Sequence, residues 1–231
     1  MIPITIGLSI TSNLPRQFNV NIRALFVIFE AKIKESKPWS FSRPQLQIKT
    51  DMTSTDNQYE QVIGTCKEIF VKKTRDYGTA WRVLRTISIV DQIFIKAQRI
   101  RTIQQKGLQK IGDDVAAEFM GVVNYGIIGM IQLELTDEDA EELPVAQVSS
   151  LYDVNIEAAK KLMQDKNHDY GEAWRSMSQE SLVDLILMKL QRIRQIIANE
   201  GKTIISEGID ANYLDIINYA VFALILINEN K

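Results

Sequence analysis

Residues 73–101 read KTRDYGTAWRVLRTISIVDQIFIKAQRIR, and residues 166–194 read KNHDYGEAWRSMSQESLVDLILMKLQRIR. At an offset of 93, sixteen of these twenty-nine positions are identical. A match this long is one structural unit written twice, and it decides the fold before any single residue is weighed. The correspondence resumes downstream with a one-residue shift, where Asn124-Tyr125 pairs with Asn218-Tyr219. Two helical repeats are expected, 57–134 and 150–228, separated by an acidic linker over 135–149. No Lys or Arg occurs between Lys110 and Lys160.

Each repeat follows one plan. The first helix is expected over about 57–75 and 151–167, with inner faces carried by Val62, Cys66, Ile69 and Phe70, and by Val154, Ala158 and Leu162. Asp-Tyr-Gly ends it, with Gly78 and Gly171 suited to the left-handed residue that closes a helix. Ser88-x-x-Asp91 and Ser181-x-x-Asp184 read as capping boxes opening the second helix. The third, over about 113–134 and 208–227, is apolar nearly all round and must be covered on most sides. The fold class is therefore all-α: two tandem three-helix units packed as one pseudo-twofold bundle, an intrachain pseudo-dimer of the kind a homodimer would form. Whether whole chains also associate as homo-oligomers stays open.

Composition agrees. In 231 residues there are only 11 Gly and 5 Pro, few breakers for a chain that would otherwise need many turns. Net charge is -2, which gives no global field for nucleic acid, so nucleic acid is a poor candidate partner. A single cysteine, Cys66, fits a reducing cytosol and reads as core, and a single histidine, His168, reads as surface loop. Together they leave no material for a thiolate or imidazole metal site, so any metal would rest on oxygen ligands. Cytoplasmic localisation without membrane association is the expectation.

The first fifty residues differ from the rest, with four of the five prolines and seven basic against two acidic residues. Their best apolar run, 24–29, is too short to span a bilayer. Met52 opens Met-Thr-Ser-Thr-Asp-Asn directly before the first helical pattern. Residues 1–51 are read as a poorly ordered extension upstream of a natural start at Met52.

Polar residues inside the last helix draw attention next. Asp215 and Asn218 share one face, and a carboxylate in an apolar helix is costly unless paired or bound to a cation. Glu207 and Asp210 lie just upstream, and Asp184 opens the preceding helix, which also carries Lys189, Arg192 and Arg194. Carboxylates could take Mg²⁺ while the cations take the phosphates it bridges. Glu207, Asp210, Asp215 and Asp184 are the metal candidates. Lys189, Arg192, Tyr170, Trp174, Asn218, Lys96 and Arg99 are the candidates for binding a nucleotide. In the first repeat Gly121 stands where Asp215 would be, and the acids are Asp113, Asp114 and Glu118, so a metal site is expected in the second repeat or shared. Plainer readings stand beside these: a buried salt bridge of Asp215 with Lys189 or Arg192, and Trp81, Trp174, Tyr77 and Tyr170 as core plugs rather than a base-stacking wall.

Asp-Tyr-Gly-x-Ala-Trp-Arg, then Asp-x4-Lys-x-Gln-Arg-Ile, then Glu-Gly-Ile-Asp-x4-Asp-x-x-Asn-Tyr-Ala, resembles the nucleotide-modification-associated domain type 1 family in its tandem bacterial form. The resemblance spans 57–228 and implies an all-α fold and a link to nucleotide or DNA-base modification. A weaker similarity runs to MazG-like all-α NTP pyrophosphohydrolases, which cleave a nucleoside triphosphate to monophosphate and pyrophosphate with Mg²⁺ on paired acids. That similarity implies Glu207, Asp210 and Asp215 as metal ligands, Lys189 and Arg192 on the phosphates, and a metal-activated water as nucleophile. The earlier paired-glutamate motif has no counterpart here. Two functions follow: a nucleotide-binding protein acting as a Mg²⁺-dependent pyrophosphohydrolase, or a non-catalytic helical module binding a partner protein or a modified nucleotide. For the Met52 start, mass spectra of the protein from its native source should contain no peptide from residues 1–50; one such peptide refutes it.

Overall fold

A computed structural model describes residues 55–107, 114–136, 139 and 141–229; the expectations for residues 1–51, Met52 and Asp113 fall outside the described residues. Among the described residues there are six α-helices, two short 3-10 turns and no strand. Helices α1 (Thr55–Tyr77), α2 (Thr86–Lys106) and α3 (Val115–Glu134) make the first repeat. Helices α4 (Val145–Tyr170), α5 (Gln179–Ala198) and α6 (Ile209–Glu229) make the second. The 3-10 turns Ala80–Val83 and Ala173–Ser176 join the first helix of each repeat to the second.

The first helix buries Tyr59, Val62, Ile63, Cys66 and Phe70 in α1, and Tyr152, Asn155, Ile156, Ala159 and Met163 in α4. These are the same positions after the offset of 93. The inner face expected for α4 is therefore corrected, since Val154 is 60% exposed and Ala158 is also outside. Asn155 stands where α1 has Val62, and its amide donates to the Leu151 carbonyl oxygen at 3.0 Å. A polar residue in the stripe disguised the true face. The acidic linker is also shorter than expected, because α4 begins at Val145 and takes up its last part. Both helices stop at glycines in the left-handed region, Gly78 at φ +62° and Gly171 at φ +65°, where a side chain would be strained.

The second helices match in the same way, with Ile89, Val90, Ile93, Ala97 and Ile100 answered by Leu182, Val183, Ile186, Leu190 and Ile193. The capping boxes do not form. Helix α2 starts at Thr86 after Arg85, and α5 is capped by Ser178, whose hydroxyl oxygen accepts from the Ser181 amide at 3.1 Å. Ser88, Asp91, Ser181 and Asp184 thus lie inside their helices. Asp91 and Asp184 reach across to the other repeat instead, pairing with Arg194 at 2.8 Å and Arg101 at 3.3 Å. Each of these two bridges is the symmetry mate of the other.

Helices α3 and α6 form the centre. Both are long and apolar enough to cross a membrane by length and composition, and both are largely buried inside this bundle. They run antiparallel at close range. A Cβ on Gly126 would come within 2.7 Å of the Ile217 side chain, and one on Gly129 within 2.6 Å of the Tyr213 ring. Reciprocal pairs surround them, as a pseudo-twofold axis requires. Lys67 binds Asp153 at 2.6 Å while Lys160 binds Glu60. The Tyr59 hydroxyl donates to Asn218 Oδ1 at 2.9 Å, and the Tyr152 hydroxyl to Asn124 Oδ1 at 3.0 Å. Each asparagine in turn donates to a carbonyl of its own repeat's first helix, Asn218 to Ala159 and Asn124 to Cys66.

Burial raises the pKa of several core groups. Tyr59, Tyr152 and Tyr213 lie well above the ordinary tyrosine value of 10.0, and Cys66 is pushed from 9.0 to about 12. Each group is an acid that the fold keeps neutral. Its contribution is complete below its unfolded value and is lost as pH climbs towards the folded one, because the unfolded chain releases protons the folded chain retains. Urea midpoints measured between about pH 8 and 11 should fall steadily above about pH 9. A midpoint that stays level to about pH 11 would contradict this burial.

Candidate functional site

Each repeat encloses a cavity at the same place, between the end of its first helix, the tryptophan of its 3-10 turn, and the outer face of its third helix. The first holds about 580 Å³, within the range of ~300–1,000 Å³ usual for small-molecule sites. The second holds about 130 Å³. Their linings correspond residue by residue: Lys73 with Lys166, Tyr77 with Tyr170, Trp81 with Trp174, Gly121 with Asp215, Asn124 with Asn218, Tyr125 with Tyr219, and Ile128 with Phe222.

The second repeat has filled its cavity from within. Asp215, with only 5% of its side chain exposed, takes Lys166 on Oδ1 and Lys189 on Oδ2, each at 2.5 Å. Of the two partners expected for it, Lys189 is present; Arg192 is exposed, and Lys166 completes the clasp. Trp174 is buried and lies flat on Phe222, ring centroids 4.2 Å apart at 5°. Its indole N–H donates to Asn167 Oδ1 at 3.2 Å, and the Arg175 guanidinium covers the ring at 4.4 Å. Burial, reinforced by the Asp215 carboxylate, pushes the Tyr219 phenol up to about 12.

The first repeat leaves the same space open. Ile128 replaces the phenylalanine under the tryptophan. Thr74 replaces Asn167, and its hydroxyl is already donated to the Phe70 carbonyl at 2.9 Å. Trp81 is half-buried and its Nε1, shut off from solvent, has no hydrogen-bond partner. The nearest carboxylate is Glu118, one helical turn before Gly121, bound by Arg99 and at 3.4 Å by Lys96. Lys96 lies across Gly121, where a Cβ would come within 2.7 Å of its Cε. Among the described residues Lys73 makes no ion pair. Among the described residues Lys73, Lys96 and Glu118 are thus the charged groups lining a space walled by Trp81, Tyr125 and Phe70.

The structure brings some of the sequence candidates together and separates others. Lys96 and Arg99 meet at Glu118; Lys189 meets Asp215; Trp174 and Asn218 line the small cavity, with the Asn218 amide engaged at both ends. Asp184 is spent on Arg101, while Glu207 and Asp210 are exposed on the approach to α6. Among the described residues no three Asp, Glu, His or Cys side chains gather as a metal site would need. Tyr77 and Tyr170 are not core plugs: they stand 72% and 76% exposed at the rims of the two cavities. His168 is exposed as expected but sits in the last turn of α4 rather than in a loop. Sequence reasoning missed Lys73 and Lys166 as site residues. The signal was present, since this lysine is the first identical position of the repeat.

The family model described as Nucleotide modification associated domain 1 matches residues 73–133 and 166–227, so both matched spans begin at the cavity lysine. The chain belongs to that family and carries two copies of its domain. No curated protein and no solved structure matches the chain.

Removing Asp215 leaves Lys189, only 7% exposed, without its counter-charge. Asp215→Ala should cost about 3–5 kcal/mol in chemical denaturation, the range for breaking a buried ion pair from one side. Lys166→Met, at a side chain 46% exposed, should cost no more than about 1 kcal/mol. Equal costs for the two would contradict the buried pairing described above.

Proposed function

We propose that the protein binds a nucleotide in the cavity of its first repeat and acts as a binding module of nucleotide or DNA-base modification. The observation that carries this reading is the pairing, in one space of about 580 Å³, of aromatic walls with two lysines, of which Lys73 makes no ion pair among the described residues and Lys96 only a long one to Glu118. A base needs a flat apolar surface, and Trp81 and Tyr125 supply it; stacking on such rings is worth ~1–3 kcal/mol per base. A phosphate needs cations not already neutralised. Lys73, without an ion pair among the described residues, supplies one, and Lys96, which reaches Glu118 only at 3.4 Å, supplies a second. Membership of a family described by nucleotide modification supports the same class of ligand.

The donor set favours binding over turnover. Hydrolysis through Mg²⁺ would call for several carboxylates at the phosphates, and among the described residues this cavity offers Glu118 alone, already spanned by two cations. Mg²⁺ would then enter on the nucleotide's own phosphates rather than on a prepared protein site. Titration calorimetry with a panel of canonical and modified nucleoside mono- and triphosphates, with and without Mg²⁺, tests the reading. We expect saturable binding, weakened roughly tenfold by Trp81→Leu, without release of pyrophosphate. Release that disappears in Glu118→Gln would replace the binding reading with the pyrophosphohydrolase one, and no heat with any nucleotide would remove both.

A further inference from the structure

We infer that the Asp215 carboxylate occupies, in the second repeat, the seat that a ligand's phosphate takes in the first, so that the chain binds one nucleotide and carries its own anion in place of a second. The inference rests on the nucleotide-binding reading and adds to it where the phosphate sits and why only one repeat is open.

The two repeats act as one another's control. In the second, a carboxylate stands between Lys166 and Lys189, at 2.5 Å from each. In the first, the equivalent lysines are Lys73 and Lys96, and the position of the carboxylate is held by Gly121. Among the described residues no other side chain of the repeat delivers an anion to both lysines. Glu118 sits one turn earlier and is drawn to Arg99, reaching Lys96 only at 3.4 Å and Lys73 not at all. Two ammonium groups on one cavity wall, with the intervening position stripped to a glycine, form a seat for an anion that must come from outside. A phosphate suits it, because its terminal oxygens can serve both lysines at once, as the two oxygens of Asp215 do in the second repeat. The ring side is modified in step. Trp174 is closed down on Phe222 and its N–H is used, whereas Trp81 faces Ile128 with its N–H unused. Charge and aromatic wall are both satisfied internally in one repeat and both left vacant in the other, which coincidence at a single position would not produce.

Calorimetry on the full chain tests this with three probes: a nucleoside monophosphate, the matching nucleoside, and inorganic pyrophosphate. The wild type should bind one nucleotide per chain. Gly121→Asp should pair with Lys73 and Lys96 as Asp215 does with its lysines, raising the melting temperature and weakening nucleotide binding by roughly tenfold or more. Gly121→Asn, of the same size without the charge, should weaken it less. Lys73 is exposed, so Lys73→Met keeps the fold and should bring nucleotide affinity down to that of the nucleoside. If Gly121→Asp binds nucleotide as the wild type does, or if the wild type takes two equivalents, the seat is wrong while nucleotide binding stands. If no nucleotide binds but pyrophosphate does, in a manner lost in Lys73→Met and Gly121→Asp, the anion seat stands and the nucleotide reading falls. Binding of none of the three probes overturns both.

Discussion

The contact between α3 and α6 is made at Gly126 and Gly129, which let the Ile217 side chain and the Tyr213 ring lie directly on the α3 backbone. Everything else in the molecule follows from having to cover that pair. Each helix is apolar around most of its circumference, so neither can exist in water until the other closes one side and the surrounding amphipathic helices close the rest. Two of the polar groups that remain inside are satisfied in reciprocal fashion, Tyr59 and Tyr152 reaching across to the asparagines of the opposite repeat. These hydrogen bonds also set the register of the first helices against the central pair. A one-turn slip would leave buried amides unpaired.

This central pair also explains why the cavities lie where they do. The outer face of α3 or α6 is covered by the helix end, the 3-10 turn and the lysine-bearing second helix of the same repeat. That cover is complete only if the side chains fill it. Asp215 and Phe222 fill it in the second repeat; Gly121 and Ile128 do not fill it in the first. A duplicated bundle is well suited to such a division, because a fully packed half can hold the fold while the other half keeps a vacancy. An unfilled apolar-walled space costs stability in proportion to its volume. Its presence beside Lys73, which makes no ion pair among the described residues, is therefore the more informative of the two differences.

Much of this was legible in the chain, and the failures have identifiable causes. The helical class, the glycine stops at Gly78 and Gly171, and the buried carboxylate at Asp215 all follow from local chemistry or from the repeat. The capping boxes failed because Ser-x-x-Asp has two uses. It can cap a helix, or it can sit on its first turn and send the aspartate to a neighbour, as Asp91 and Asp184 do to Arg194 and Arg101. The inner face of α4 was misplaced because Asn155 interrupts the apolar stripe, although aligning α4 on α1 by the repeat offset recovers it. Tyr77 and Tyr170 looked like core because they adjoin a tryptophan; the helix stop after them turns their rings outward.

By itself the amino-acid sequence determined that this is a duplicated all-α protein and which residues are equivalent between the repeats, since periodicity, breakers and internal identity are properties of a chain read in order. It also determined that one repeat has an acid where the other has a glycine. Only the tertiary structure decided what that difference does. Lys166 and Lys189 lie 23 positions apart and on separate helices, and their meeting on one carboxylate depends on how α4 and α5 pack on α6. Volume is likewise a property of packing and not of sequence order, which is why the open site lies in the first repeat, while the acid that pointed towards a site closes the second.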